Sequence, residues 1–342
     1  MIYRVIYFYR HPQSNYFSIE KLFQKISSKI ALKFPAEFSI EEKYMPFASK
    51  PKTIYKNIVF AKQQQSTINH ITGDIHYAIL GFAKKNINII TIHDCVTLYR
   101  YPKTSLRYWF IKLFWFDLPV KRADFITVIS ENTRRDLIYF TNCNPDKIGV
   151  VNNFVDPDFT CSSFVFREEC PRVLFVGTNT NKNLDRLVEA LKGIPSILDI
   201  VGPLSPDMIN KLNASQINYE QSEGLTQEAL RAKYTNCDLV AFPSTYEGFG
   251  LPIIEAQATG RPLLTSDLSP MRDVAGGGAC LVHPYDILSI RQGLLKIIND
   301  ADYRQELIIK GKNNVERFSL DKVAEEYVSI YRQLIQKKRF KK

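Results

Sequence analysis

Short apolar runs alternate with helix-like stretches from one end of this chain to the other, and that alternation restricts its fold more than any other feature. Residues 3–9, 58–61, 68–71, 87–93, 125–130 and 148–152 read as strands, and so do 173–177, 198–202, 238–242, 262–265 and 280–282. Runs this short, bounded by turn residues and separated by helical spacing, predict parallel strands covered by helices on both faces. A chain of 342 residues exceeds one ordinary core, so two domains are expected. The α/β pattern therefore predicts two Rossmann-like domains, 1–160 and 171–318, with a boundary in the stretch 156–171, where periodicity is lost. In 319–342, Val323, Ala324, Tyr327, Val328, Ile330, Tyr331, Leu334 and Ile335 recur at the spacing of a helix buried along one face.

One segment of the second half carries chemistry. Pro243-Ser244-Thr245-Tyr246-Glu247-Gly248-Phe249-Gly250-Leu251-Pro252-Ile253-Ile254-Glu255 follows an apolar strand and runs into a helix that Gly260 ends. Strand, glycine turn and helix make an anion-binding geometry, because the first-turn amides point outward at the positive end of the helix dipole. Pro252 suits the first helical position, and Leu251 before it has no side-chain oxygen to cap those amides. Glu247 and Glu255 stand on either side of the glycine loop.

A second strand, polar loop and helix start is Val173-Leu174-Phe175-Val176-Gly177-Thr178-Asn179-Thr180-Asn181-Lys182-Asn183-Leu184. A lysine aimed at a helix N-terminus is electrostatically misplaced unless an anion lies between them, which makes Lys182 a candidate phosphate ligand. In the first half, His93 and Asp94 end a strand on the side where open parallel sheets bind ligands. A helix-capping Asp beside a packed His is the competing reading. No Gly-x-Gly-x-x-Gly with a following acid occurs in either half, which disfavours a dinucleotide-dependent dehydrogenase.

The segment from Glu247 to Glu255 resembles the Glu, seven residues, Glu signature of retaining glycosyltransferases of family 4. That resemblance implies the GT-B fold: two Rossmann-like domains facing an interdomain cleft, with a C-terminal helix crossing back to the first domain. It implies a nucleoside-diphosphate sugar as donor, no cofactor and no metal. Carried over residue by residue, Glu247 lies by the donor sugar, the backbone of Gly248, Phe249, Gly250 and Leu251 binds the donor, and Glu255 takes the ribose hydroxyls. Lys182, with Gly177, Thr178 and Asn183 around it, meets the diphosphate, and His93 and Asp94 lie near the donor sugar. Two departures stand out. Thr178 and Asn179 replace an Arg common in this loop, and Arg10-His11-Pro12-Gln13-Ser14-Asn15 replaces the glycine-rich loop that many GT-B enzymes have after the first strand. The activity implied is metal-independent, retaining transfer to a hydroxyl acceptor in cell-envelope or exopolysaccharide assembly. A GT-B sugar-nucleotide epimerase or an inactive sugar-nucleotide-binding protein are the alternatives.

Charge and composition bear on place and partner. No uninterrupted apolar run reaches the ~18 residues of a membrane span, and Met1-Ile2-Tyr3-Arg4 opens a strand rather than a signal peptide, so a cytoplasmic protein is expected. Six cysteines without a Cys-x-x-Cys pair read as reduced thiols, not a zinc site. Residues 1–165 contain 22 Lys+Arg against 13 Asp+Glu, a net of +9, while the remainder has 23 against 22. Five of those 23 sit in the final run Lys337-Lys338-Arg339-Phe340-Lys341-Lys342. A basic first half and tail suit an anionic membrane surface and a glycan or lipid-linked acceptor, with no role for nucleic acid. Tyr108-Trp109-Phe110-Ile111-Lys112-Leu113-Phe114-Trp115-Phe116-Asp117-Leu118 adds an aromatic segment of interfacial character, for which core burial is the competing reading.

Overall fold

The computed structural model describes residues 2–12 and 18–340. Packing divides the chain into two units, one formed by Met1–Phe154 with Leu320–Lys342 and the other by Val155–Ser319. Each holds a six-stranded sheet in which the paired strands are parallel.

The first sheet contains β1 (Tyr3–Tyr9), β2 (Phe38–Tyr44), β3 (Ile68–Ile71), β4 (Ile87–Ile92), β5 (Phe125–Val128) and β6 (Ile148–Val150), in the order β2-β1-β3-β4-β5-β6. The second contains β7 (Arg172–Val176), β8 (Ile197–Val201), β9 (Asn218–Ser222), β10 (Leu239–Phe242), β11 (Leu263–Ser266) and β12 (Cys280–Val282), in the order β12-β11-β10-β7-β8-β9. Central strands such as β4 and β10 are buried along their whole length, since helices cover both faces of each sheet. The stretch 156–171, expected as the boundary, lies within the second unit. There Arg167 donates to the Asp238 carboxylate and Arg304 lies over the Phe166 ring.

Two expectations about strands fail for physical reasons. Residues 58–61 belong to the helix Pro51–Gln64, whose buried face is Ile54, Asn57 and Ala61; a four-residue apolar run does not by itself distinguish strand from helix. β2 and β9 have no apolar run to mark them: Phe38–Tyr44 and Asn218–Ser222 are mostly charged and polar, as a sheet edge permits, whereas the other two edges, β6 and β12, keep short apolar runs.

The C-terminal helix Leu320–Arg339 is a structural part of the first unit. Val323, Tyr327, Val328 and Tyr331 share a core with Val5, Tyr7 and Phe23. The Tyr331 hydroxyl meets the Tyr7 hydroxyl at 2.7 Å and His70 Nδ1 at 2.8 Å, and His70 Nε2 continues to Thr91 at 2.8 Å. Burial drives the His70 pKa down to about 3, so the imidazole is neutral and serves as a hydrogen-bonding link. At the rim, Lys33 pairs with Glu325 at 2.6 Å and Arg332 with Glu37 at 2.6 Å. Lys338 bonds the carbonyls of Lys84 and Asn86 and the Asp124 carboxylate, at the amino ends of β4 and β5. Lys341 and Lys342 lie outside the described residues, as do Gln13, Ser14 and Asn15 of the loop after β1.

The aromatic segment is chiefly core. Tyr108 and Phe116 are buried, and Phe110, Ile111, Phe114 and Trp115 pack against the same cluster. Leu106, Trp109 and Leu113 form an outward face, 89%, 55% and 43% exposed. No helix among the described residues is long and apolar enough to cross a membrane.

Candidate functional site

β7 lies at the middle of the second sheet. From it the chain proceeds to β8 and β9 on one side, then returns to β10, β11 and β12 on the other. The loops leaving the adjacent carboxyl ends of β7 and β10 therefore diverge, and such a switch point is where open parallel sheets bind ligands. Both motifs singled out in the second half emerge there.

The β7 loop is shaped by two left-handed residues. Gly177 has φ +88°, and a Cβ on it would stand 3.0 Å from Lys182 Cε, so only glycine lets the lysine stem fold back over the strand end. Asn183, at φ 70°, begins the helix Leu184–Leu191. Its amide donates to the carbonyls of Pro243 at 2.9 Å and Pro284 at 2.7 Å, which fastens the β7 loop to the chain leaving β10 and β12. That side chain is thus engaged in holding the site together. Thr178 is similarly occupied, its hydroxyl donating to the Pro203 carbonyl at 2.5 Å.

The two loops are joined directly. The Thr245 amide donates to the Asn181 carbonyl at 2.8 Å, and Asn181 Nδ2 returns to the Tyr246 carbonyl at 2.8 Å and Glu247 Oε1 at 3.3 Å. Lys182 Nζ stands 2.7 Å from Glu247 Oε1 and 4.8 Å from the centroid of the Phe242 ring. Their side chains are only 17% and 12% exposed, so this cation and this carboxylate act on each other, and on anything brought between them, through a poorly screened medium.

The helix Leu251–Ala258 starts from Gly250, at φ +105°, without any side-chain cap. The cap therefore falls one residue before the Leu251 expected from the position of Pro252. The consequence is unchanged, since glycine too has no capping oxygen. Elsewhere in this unit Ser205, Thr226, Asp286 and Asp300 each cap a helix. Phe249 is buried against Phe318, ring centroids 5.6 Å apart, and so anchors the glycine loop through its side chain.

Glu255 sits on the second turn of that helix. The Tyr234 hydroxyl donates to its Oε2 at 2.5 Å. Burial raises its pKa to about 7; the Tyr234 bond and Lys182 act in the opposite direction, and Asp156 adds to the rise. Tyr234 and Asn181 were not singled out in the sequence. Tyr234 precedes Glu255 by 21 residues on another helix, and only the packing of that helix reveals the pair.

His93 and Asp94 belong to the first unit, just past β4. His93 Nε2 lies 2.8 Å from the Thr72 carbonyl, which can only accept, so this nitrogen carries the proton. Burial lowers the His93 pKa. Asp94 Oδ1 accepts the Val96 amide at 2.9 Å and starts the short helix that follows. Among the described residues no group of three or more His, Cys, Asp or Glu side chains has a metal-holding arrangement.

Comparison with known proteins fits this architecture. The sequence model of the glycosyl transferases group 1 family matches residues 162–314, and that of glycosyltransferase family 4 matches residues 46–159. The chain belongs to the group 1 glycosyltransferases. Among curated relatives of this glycosyltransferase, the serotype-specific mannosyltransferase WbdA of Escherichia coli is 25% identical over 240 residues, which is 63% of this chain and 29% of WbdA. The chain thus matches less than a third of that relative's length. The O-antigen chain mannosyltransferase B of Escherichia coli is 24% identical over 277 residues, 72% of this chain and 70% of that protein. HepE of Anabaena, solved in complex with UDP-glucose, superimposes with a TM-score of 0.73 at 14% identity, covering 97% and 100% of the two chains. The two sheets of this glycosyltransferase are those of the GT-B fold.

Proposed function

We propose that this protein is a retaining, metal-independent glycosyltransferase that moves a sugar from a nucleoside diphosphate to a hydroxyl acceptor during cell-envelope glycan assembly, at the cytoplasmic face of the membrane. The observation that carries this reading is the Lys182–Glu247 pair, 2.7 Å apart, at the switch point beside a helix start that no side chain caps. The diphosphate lies between Lys182 and the backbone from Gly248 to Leu251, where the lysine charge and the helix dipole stabilise it as it departs. In this reading the Lys182 ammonium and the helix start take the place of a divalent cation. Glu247 flanks the donor sugar, Glu255 accepts the ribose hydroxyls, and a phosphate oxygen takes the acceptor proton on the face the leaving group vacates. His93 and Asp94 enter as catalytic groups of the first unit, a role that their place at the carboxyl end of β4 supports. The mannosyltransferase relatives make mannose the first sugar to test.

The test begins with a thermal-shift panel of UDP-, GDP- and ADP-sugars, followed by calorimetry and turnover on the donor that binds. Glu255→Ala should weaken donor binding by about 10-fold or more, the scale of one charged hydrogen bond. Glu247→Ala should keep affinity within a few-fold and slow transfer, because a group beside the reacting sugar matters most in the transition state. Unchanged donor affinity in the Glu255 variant refutes the ribose assignment. Turnover that stops in EDTA refutes metal independence, and epimerised donor without acceptor favours the epimerase.

The acceptor in this reading is lipid-linked and is met at an anionic bilayer. Residues 99–113 contain Arg100, Lys103 and Arg107 around the exposed face of Leu106, Trp109 and Leu113, while Lys112 is neutralised by Asp117 at 2.7 Å. Basic and interfacial apolar groups together suit a headgroup surface. The tail is a separate feature, since Lys338 is tied at the amino ends of β4 and β5 whereas 99–113 follows the carboxyl end of β4. Co-sedimentation with anionic vesicles should fall about fivefold for each cation removed in Lys103→Gln and Arg107→Gln, and should weaken as salt shortens the screening length below ~8 Å. A chain ending at Gln336 should retain most of the binding. Equal recovery with neutral vesicles, or none with anionic ones at low salt, points to a soluble acceptor.

A further inference from the structure

The Glu255 carboxylate is held by a group that no catalytic motif includes. Tyr234 lies in the last turn of the helix Gln227–Asn236, its ring fully buried and met edge-on by Phe159 at 5.3 Å between centroids. The chain just after it is pinned. Cys237 Sγ donates to the Tyr234 carbonyl at 3.3 Å, and the Asp238 carboxylate accepts the backbone amides of Arg167 at 3.1 Å and Arg172 at 2.6 Å. A fully buried phenol packed against Phe159 on a pinned backbone has little freedom to follow a moving partner, so its 2.5 Å bond to Glu255 Oε2 sets the rotamer of the carboxylate. The phenol thus takes Oε2 and not Oε1.

We infer that Tyr234 is a positioning residue for donor binding: it grips one oxygen of Glu255 so that the carboxylate is presented, ionised and in one orientation, to the ribose hydroxyls of a nucleoside diphosphate sugar. This rests on the assignment of Glu255 to the ribose made above. The groups that face Glu255 are Tyr234 from the helix Gln227–Asn236, Asp156 from the start of the unit and Lys182 from the β7 loop. Burial and Asp156 favour the neutral acid, while the phenol donor and Lys182 favour the carboxylate, and the balance falls at about 7. An ionised carboxylate accepts from two hydroxyls, whereas the acid accepts fewer. Donor affinity is therefore full above this pKa and declines as pH falls through it. Loss of the phenol removes a bond that favours ionisation, so the decline moves to higher pH.

The experiment is calorimetric titration between pH 6 and 8.5 with whichever of UDP-glucose, GDP-mannose and ADP-glucose gives the largest thermal shift. The diester phosphates of these compounds do not titrate in that range. Parent, Tyr234→Phe, Glu255→Gln and Glu255→Ala are compared, with circular dichroism as the check on folding. Tyr234→Phe should bind about tenfold more weakly at pH 7 and regain most of the loss by pH 8.5, while Glu255→Gln should be weak and flat with pH. If Tyr234→Phe keeps the parent's profile, or is weakened equally at every pH, Tyr234 only packs and the inference is wrong. If Glu255→Ala binds like the parent, the ribose assignment itself is wrong, an outcome the other variants do not produce.

Discussion

Replacement of Lys182 by alanine lowers turnover by about 100-fold or more and leaves the protein folded. The expected size is that of removing one preorganised charge-stabilising group from a shielded site, and two features of the geometry argue for the upper part of the range. The ammonium is only partly exposed and lies over the Phe242 face, so water does not replace it well. It is also the ion-pair partner of Glu247, and its loss leaves that carboxylate unpaired, to repel the nearby diphosphate. Arginine should rescue poorly, because the Lys182 stem already runs 3.0–3.5 Å from the position of a Cβ on Gly177. Single-turnover rates at saturating donor, with circular dichroism as the folding control, measure this. Turnover within a few-fold of the parent would return Lys182 to the role of a loop lysine.

Asn183→Ala acts first on stability. It strips hydrogen bonds from the buried carbonyls of Pro243 and Pro284, at about 1–3 kcal/mol each, and places alanine at φ 70°, which costs roughly 1–2 kcal/mol. A total of about 3 kcal/mol or more lowers the midpoint of thermal unfolding by roughly 6–12 °C for a unit of this size. Asn183→Gly relieves the backbone strain and leaves the carbonyls unpaired, so it should recover only the smaller part. A midpoint within about 2 °C of the parent for Asn183→Ala contradicts the fastening role. Activity should fall in the same variants, since these bonds hold the β7 loop against the loop of Glu247.

Much of the candidate site is legible in sequence because its chemistry is local. Glu247, the glycine loop and Glu255 occupy one strand–turn–helix unit, and Gly177 through Asn183 another. Backbone amides at a helix start need only that neighbourhood to become an anion site. Residues whose function depends on a distant partner were read less well. The fastening by the Asn183 side chain was not legible, because the carbonyls it binds come from residues 60 and 101 positions away. Tyr234 carried no signal, as a single tyrosine on an amphipathic helix looks like any core residue.

The sequence by itself determined the class of each unit, the number of layers and the burial of the terminal helix, since all three follow from hydrophobic period and length. Strand order and edges were decided only in three dimensions. β2 and β9 are strands because β1 and β8 offer free ladders to them, although their own residues Phe38–Tyr44 and Asn218–Ser222 have no apolar run. Residues 58–61 are helical because Ile54, Asn57 and Ala61 find a core on one side. Tertiary structure alone also set the 2.7 Å approach of Lys182 to Glu247 and the 2.5 Å bond from Tyr234 to Glu255. Period and composition depend on near neighbours along the chain, whereas hydrogen-bond partners and charge balance in a buried site depend on which segments the folded sheet brings side by side.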